Sequence, residues 1–147
     1  MQNLTKTIKN VLNNHDYLHL YALTQLVKNE GGFDKSIINH EDFLNNFILE
    51  DIKINKTSST FIKVGLEQYA LRKESDLENL YSFLKCRLST FIFWEINHHD
   101  INYSNELFGK DVFSENTTLL NMLEKLKQSG KIASFTPITE KQVIVGF

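Results

Sequence analysis

Residues 59–73 read STFIKVGLEQYALRK, and this stretch predicts a β-hairpin. β-Branched and aromatic residues are concentrated in residues 60–64, and a second extended run follows over residues 68–72. Between the two runs, Gly65-Leu66-Glu67 supplies a short connection that contains glycine, as hairpin turns commonly do. The predicted hairpin closes the first half of the chain, so the elements around it are interpreted from this point outward.

Helices are predicted before the hairpin. Apolar residues recur at helical spacing over residues 4–13 and again up to Lys28, after which Gly31-Gly32 ends the second helix. Residues 34–39 are predicted as a turn or a very short helix. Asn39 is a favoured capping residue, and it predicts a last helix that continues to about residue 52. The first half is therefore predicted as helices followed by a hairpin.

The second half begins with a strong helix signal. Ser75 and Glu78 have the spacing of a capping box, in which each side chain bonds to the other residue's backbone N–H. A broad apolar face follows, and it predicts a long helix over residues 75–98. A short helix over residues 104–108, ended by Gly109, is predicted next.

The second half also ends in a hairpin pattern. Residues 117–128 predict an amphipathic helix, and Ser129-Gly130 ends it. Residues 132–147 then predict a second hairpin, with Pro137 in its turn. Both halves thus have the same predicted order of elements, although their residues show no obvious similarity.

This repeated order predicts two winged helix units, in each of which a helix-turn-helix core is followed by a β-hairpin wing. We place the first unit at residues 1–73 and the second at residues 74–147. The expected fold class is mainly α with β-hairpin wings (α+β), arranged as tandem winged helix units.

The first hairpin resembles the wing of the HARE-type winged helix family, which includes modules of restriction endonucleases and chromatin proteins. The delta subunit of bacterial RNA polymerase looks similar. The family wing has an aromatic residue, a basic residue, a glycine and then a Tyr-Ala-Leu-Arg segment, and the matching residues here are Phe61, Lys63, Gly65 and Tyr69-Ala70-Leu71-Arg72. The resemblance extends over residues 15–73, and the second half has no match of this kind.

The resemblance implies a DNA-associated or transcription-associated role without catalysis, as a transcription regulator or as an accessory factor of restriction or recombination. Residues 53–73 carry five cations against Glu67 alone, so lysines in and beside the first wing are candidate phosphate contacts. A solvated, lysine-rich edge that protects the hairpin from aggregation would explain the same pattern. The candidate residues for double-stranded DNA are Lys53, Lys56, Lys63, Arg72, Lys73, Lys125, Lys127 and Lys131.

Net charge leaves a second function open. The chain has a formal net charge of −2, which excludes a uniformly basic coat protein for nucleic acid. Residues 1–73 balance at +1 and residues 74–147 at −3. The acidic second half favours the alternative, a protein–protein interaction adaptor in a chromosome or RNA polymerase complex. By analogy with small tandem winged helix proteins, a homodimer is also expected.

Catalytic and metal-binding patterns are weak, and we expect no enzyme, no metal site and no cofactor. His15 and His19 would share a helix face, and residues 95–100 contain two histidines and two acids, but neither set has a cysteine partner or an HExxH pattern. The acidic-x-Lys triplet at residues 51–53 is typical of nucleases only when it lies on a strand. Cys86 is expected to be a buried, unreactive thiol.

No apolar run approaches the ~18 residues of a membrane span, and no apolar segment follows the N-terminal residues as in a signal peptide. A single cysteine fits a reducing compartment. We therefore expect a cytoplasmic protein without a membrane partner.

Overall fold

A computed structural model describes residues 3–89 and 92–147. The chain divides into two compact units, Met1–Arg72 and Lys73–Phe147. The fold class is α+β, because the described residues form six α-helices and two three-stranded antiparallel sheets. In the described part of the chain, no helix has both the length and the apolarity that crossing a membrane requires.

The first unit has three helices and a small sheet. In the sheet, β3 lies between β1 and β2, with Leu18 opposite Tyr69 and Phe61 opposite Leu71. The hairpin of β2 and β3 lies where the sequence predicts it. The elements of the unit are α1 (Leu4–Leu12), β1 (Leu18–His19), α2 (Leu20–Asn29), α3 (His40–Asn55), a 3-10 turn (Lys56–Ser58), β2 (Phe61–Gly65) and β3 (Gln68–Leu71).

Short polar side chains start the helices of the first unit. Asn3 accepts a hydrogen bond from the Lys6 N–H, and the Asn39 side chain accepts one from the Asp42 N–H, as predicted for a cap at Asn39. The imidazole Nδ1 of His19 caps α2 by accepting from the Tyr21 N–H. Each cap satisfies a backbone donor that has no partner within the helix.

The core of the first unit lies between its three helices and one face of its sheet. Leu44, Ile48 and Ile52 recur at every fourth position of α3 and are buried there. Phe61 and Tyr69 cover them from the sheet, and the Tyr69 hydroxyl donates to Asn45 Oδ1. This packing fixes which face of α3 points into the unit, while positions such as Phe43, Glu50 and Ile54 remain exposed.

The second unit also has three helices and a three-stranded sheet. Its sheet places β6 between β4 and β5, with Trp94 opposite Val143. The elements are α4 (Asp76–Arg87), β4 (Phe93–Glu95), α5 (His98–Phe108), α6 (Asn116–Gln128), β5 (Ser134–Thr139) and β6 (Gln142–Gly146).

The prediction of one long helix over residues 75–98 is wrong. Helix α4 ends at Arg87, and Phe93–Glu95 forms a strand that pairs with β6. Phe91, which falls within the range predicted as this helix, lies outside the described residues. Residues 90–94 are rich in β-branched and aromatic residues, which favour a strand when a partner strand is available.

Three local predictions in the second unit are also corrected. The short helix at 104–108 is the end of α5, which starts at His98 with a capping box between Asn97 and Asp100. Ser75 caps α4 by accepting from the Leu77 N–H, one residue before the predicted donor. Pro137 lies within β5, which is an edge strand and therefore tolerates a residue without an N–H.

The two units share one arrangement. Each has the order helix, strand, helix, helix, strand, strand, and in each the third strand pairs with both of the others. Strands β1 and β4, which the sequence did not predict, occupy equivalent places in this order.

Candidate functional site

The predicted cations of the first unit do not form one patch. Lys53 and Lys56 are exposed at the end of α3 and in the turn that follows it. Lys63 lies on β2, opposite Tyr69, and is half-buried. A strand advances about 3.3 Å per residue, so Lys63 lies well along the hairpin from the Lys56 turn.

Arg72 has a structural role in this region. Its Nε donates to the carbonyl oxygen of Ser59 at 2.8 Å, and its Nη2 donates to that of Lys56 at 3.2 Å. The guanidinium therefore holds the turn after α3 against the end of β3. The structure brings Arg72 and Lys56 together, but it directs two Arg72 donors toward protein carbonyls.

Lys73 starts the second unit. Its backbone N–H donates to Asn79 Oδ1 at 2.7 Å, and its carbonyl oxygen accepts from Asn79 Nδ2 at 3.2 Å. These bonds attach the residue to the first turns of α4, while its side chain is half-exposed.

The remaining three predicted residues lie at the end of α6. Lys125 and Lys127 are exposed in its last turn. Lys131 is also exposed, and its Nζ lies 5.0 Å from the centre of the Tyr81 ring, within the range of a cation–π contact. Lys85 Nζ lies at the same distance from the Phe147 ring. Two lysines of the second unit thus each lie over an aromatic ring.

Sequence analysis missed a polar stripe on α6. Leu119, Leu123 and Leu126 are buried and face the core. The exposed positions between them follow helical spacing and carry amide, hydroxyl and ammonium groups. We call them the α6 stripe, and they are Thr117, Asn121, Lys125 and Gln128. The half-buried Glu124 lies on the same side of the helix, and its carboxylate accepts a hydrogen bond from Gln128 Nε2 at 3.4 Å. The sequence contained the signal for this stripe, because the helix positions between the regularly spaced leucines are the ones that face solvent.

The hairpin that follows α6 is also exposed. Most of β5 is open to solvent, and its turn with β6 carries Glu140 and Lys141. Lys141, whose carbonyl oxygen accepts from the Ile96 N–H, is a further cation that the sequence analysis did not select. The last helix and hairpin of the second unit thus present polar groups and lysines.

The corresponding helix of the first unit has a different surface. Its exposed positions include the acids Asp42 and Glu50 and the apolar residues Phe43 and Ile54, of which Ile54 is 66% exposed. A surface of this kind repels phosphates and attracts cationic or apolar ligands. The two equivalent helices therefore suit different partners.

Several of the groups that we considered for metal binding or catalysis contact other side chains. His19 Nε2 lies 3.7 Å from a Glu67 carboxylate oxygen, and the rings of His98 and His99 pack against each other. Burial raises the pKa of the Cys86 thiol to about 11, which keeps it protonated at neutral pH. Among the described residues, no group of three or more histidine, cysteine or acidic side chains is arranged to hold a metal ion.

Asp100 shows how such a group is used. The residue is buried. Its Oδ2 accepts from the Trp94 indole N–H at 3.1 Å and from the Asn97 N–H at 3.0 Å. Its Oδ1 lies 3.5 Å from Arg87 Nε. The carboxylate joins α4, β4 and α5, and this accounts for a charged residue in the interior.

Comparisons of the chain with protein-family models, with curated proteins and with solved structures find no match. The function is therefore inferred from the geometry of the two units.

Proposed function

We propose that both units are winged helices and that the protein binds double-stranded DNA without catalysing a reaction. The shared order of elements supports this proposal, because a winged helix has a three-helix core, a short strand after its first helix and a C-terminal hairpin. In this fold the third helix enters the major groove, and the wing runs along the phosphates. The role is that of a transcription regulator or of an accessory factor in restriction or recombination.

The α6 stripe is the observation that carries the proposal. Asparagine and glutamine amides bond to base edges, threonine and lysine bond to phosphates or bases, and all four side chains are exposed on one face of the third helix. Lys127 in the last turn of α6 and Lys141 in the wing turn are both exposed and supply further phosphate contacts. The second unit is thus the proposed DNA-binding unit, although its net charge is negative.

The exposed lysines of the first unit have a supporting role in this proposal. Lys53 and Lys56 contact phosphates when the duplex reaches the first unit, and Arg72 positions the turn that carries Lys56. Lys63 is half-buried and contributes less than Lys56.

An electrophoretic mobility-shift titration with random duplex DNA tests the proposal. The wild-type protein should lose affinity steeply as salt increases, because each phosphate contact releases counterions. We expect Lys125→Glu combined with Lys127→Glu to weaken binding by at least about tenfold, which corresponds to about 1.4 kcal/mol. Lys28→Glu, at an exposed position on α2, is the matched control and should bind as the wild type does. Equal binding by the α6 variant and the control would contradict the proposal.

A protein-interaction adaptor in a chromosome or RNA polymerase complex is the second candidate function. The part of the α3 surface formed by Asp42, Phe43, Glu50 and Ile54 favours it, because two of these exposed residues are acids that repel phosphates and the other two are apolar. An adaptor would show no duplex binding at ~0.15 M salt, where exposed charges are strongly screened. It would instead co-purify with a defined protein.

A further inference from the structure

A groove follows the exposed side of α3. Phe43 and Phe47 form a ridge, with ring centres 6.5 Å apart, and a depression lies on each side of it. We call the two depressions together the α3 groove. One has a volume of about 500 Å³, and its other lining residues are Asn46, Glu50, Asp51, Ile54 and Asn55. The second has a volume of about 660 Å³, and its other lining residues are Asn3, Leu4, Thr5, Gly32, Asp34, Ser36 and Ile37.

The ridge has a rigid base. The Phe33 ring stacks on His40 with ring centres 4.5 Å apart, and its edge packs against Phe43 at 6.5 Å. Phe33 and Phe47 also pack against the core of the first unit. Phe43 nevertheless remains 41% exposed, and Ile54 farther along the helix is 66% exposed. Apolar side chains are therefore held in place beside solvent, as they are in binding grooves.

The charged side chains that line the α3 groove, among the described residues, are all acidic. Within this described part of the chain, the groove lining contains the carboxylates of Asp34, Glu50 and Asp51 and no lysine, arginine or histidine. The Ser36 N–H donates to Asp34 Oδ1 at 2.9 Å, and this hydrogen bond lowers the pKa of the carboxyl, so Asp34 stays ionised at neutral pH.

We propose that the α3 groove binds a basic amphipathic segment of a partner protein. Apolar side chains of the segment would enter the depressions on either side of the Phe43–Phe47 ridge, and its lysines or arginines would face the carboxylates. This inference deepens the adaptor function, because it defines the chemistry of the partner and the unit that binds it.

Charge complementarity selects this occupant over a nucleic acid. Phosphates next to Glu50 and Asp34 would repel them, and the apolar ridge offers no hydrogen-bond donors to a base edge. In this proposal, α3 binds a positively charged partner, whereas α6 binds the negatively charged DNA. DNA binding by the second unit does not require the groove.

The test is a fluorescence-anisotropy titration of the full chain with synthetic labelled peptides. The probe is an amphipathic helical peptide of leucine and lysine, and the comparison peptides are a scrambled sequence and one with glutamate in place of lysine. We expect the probe to bind at least about tenfold more tightly than either comparison peptide. Binding should weaken as salt increases, because the charged groups are partly exposed.

Variants locate the site. Phe43→Ala and Ile54→Ser remove exposed apolar surface, and Glu50→Lys reverses a charge, so each should weaken probe binding by about tenfold. The controls Leu66→Ser and Asp16→Lys change an exposed apolar residue and an exposed acid of the same unit outside the groove, and they should bind as the wild type does. Circular dichroism verifies that each variant is folded.

Several results would overturn the inference. One is equal affinity for the probe and the scrambled peptide, and another is unchanged probe binding by all three groove variants. Sedimentation equilibrium that shows self-association, lost in Phe43→Ala, would assign the groove to a second copy of the chain instead. Loss of duplex binding in Phe43→Ala and Ile54→Ser would assign the groove to nucleic acid.

The DNA-binding proposal is tested independently of the α3 groove. The α6 variant Lys125→Glu/Lys127→Glu should still bind the probe, and Phe43→Ala should still shift duplex DNA. If probe binding is absent but a protein partner bound outside the groove is identified, the adaptor function stands while this inference fails.

Discussion

At the scale of single residues, the buried carboxylate of Asp100 stabilises the second unit. It provides acceptors to the Trp94 indole and to the Asn97 backbone, and Arg87 offsets its charge. Removal of the carboxylate would leave two donors without an acceptor in a region where water has little access. The residue that we considered as a metal ligand is thus a structural one.

Asp100→Ala should lower the free energy of unfolding by about 2–3 kcal/mol, because it leaves two donors without an acceptor, whereas Arg87, whose side chain is 39% exposed, stays hydrated. Asp100→Asn retains an acceptor oxygen but loses the ion pair, so we expect about half of that loss. Urea denaturation followed by tryptophan fluorescence measures both, since Trp94 is the one tryptophan of the chain. The exposed residue Glu95 supplies the control Glu95→Ala. A midpoint for Asp100→Ala equal to that of the control would refute the structural role.

We expect the buried thiol of Cys86 to make the free energy of unfolding depend on pH in the alkaline range. Its pKa is raised from 9.0 to about 11 by burial, so the folded state holds the thiol proton more tightly than the unfolded state. The resulting stabilisation is complete below pH 9 and is lost as the pH rises toward 11, with a total of about 2–3 kcal/mol. Unfolding experiments from pH 8 to 11 should show a shallower decline for Cys86→Ala than for the wild type. Parallel declines would contradict the assignment.

At the scale of elements, the contact between α1 and α2 depends on Gly32. A Cβ atom at this position would lie 2.7 Å from Val27 Cγ1 and 3.0 Å from Thr7 Cγ2, and both of these residues are buried. Neither side chain can move away without disturbing the core. The glycine that we assigned to a helix end is therefore also required by the close approach of two helices.

Gly32→Ala should destabilise the first unit by about 1–3 kcal/mol, as expected for an overpacked core. Thermal unfolding followed by far-UV circular dichroism measures the effect. The double variant with Val27→Ala should be less destabilised than the sum of the single variants, because the clashing methyl group is absent. Additive effects would show that steric contact with Val27 is not the cause.

The third helices show how equivalent elements present different side chains. Helices α3 and α6 both bury one aliphatic face, formed by Leu44 and Ile48 in α3 and by Leu119 and Leu123 in α6. Their outward faces differ in emphasis, since α3 exposes Phe43, Ile54 and Glu50 besides amides and Lys53, whereas α6 exposes amides, a hydroxyl and two lysines. The element determines where a side chain is displayed, and the side chain determines which partner it fits.

At the scale of the whole molecule, the net charge of −2 does not reflect the difference between the surfaces of α3 and α6. Average charge argues against DNA binding, yet binding depends on the local field at the interface rather than on the sum. The described residues that line the groove of the first unit include no cation, and the second unit has a helix that ends in lysines. Under the two proposals, the protein would connect DNA to a basic segment of a partner protein.

The predictable part of the fold rests on local signals. The cap at Asn39 predicts the start of α3, because the capping oxygen and the N–H that it accepts from are three residues apart. The hairpin of Phe61–Gly65 and Gln68–Leu71 is predicted because its strands are joined by a short turn. In the candidate site, the exposure of Lys125 and Lys127 follows from the leucine spacing of α6.

Sequence alone thus determined the α+β class, most helix starts and both hairpins, since these depend on neighbours in the chain. Tertiary structure decided the strands β1 and β4, because Leu18 and Trp94 pair with residues far along the chain and nothing local indicates the partner. It also decided the orientation of Arg72 toward carbonyl oxygens and the joining of Phe43 and Phe47 into a groove. Burial and exposure are properties of packed elements, and a sequence pattern specifies them only after the packing partners are known.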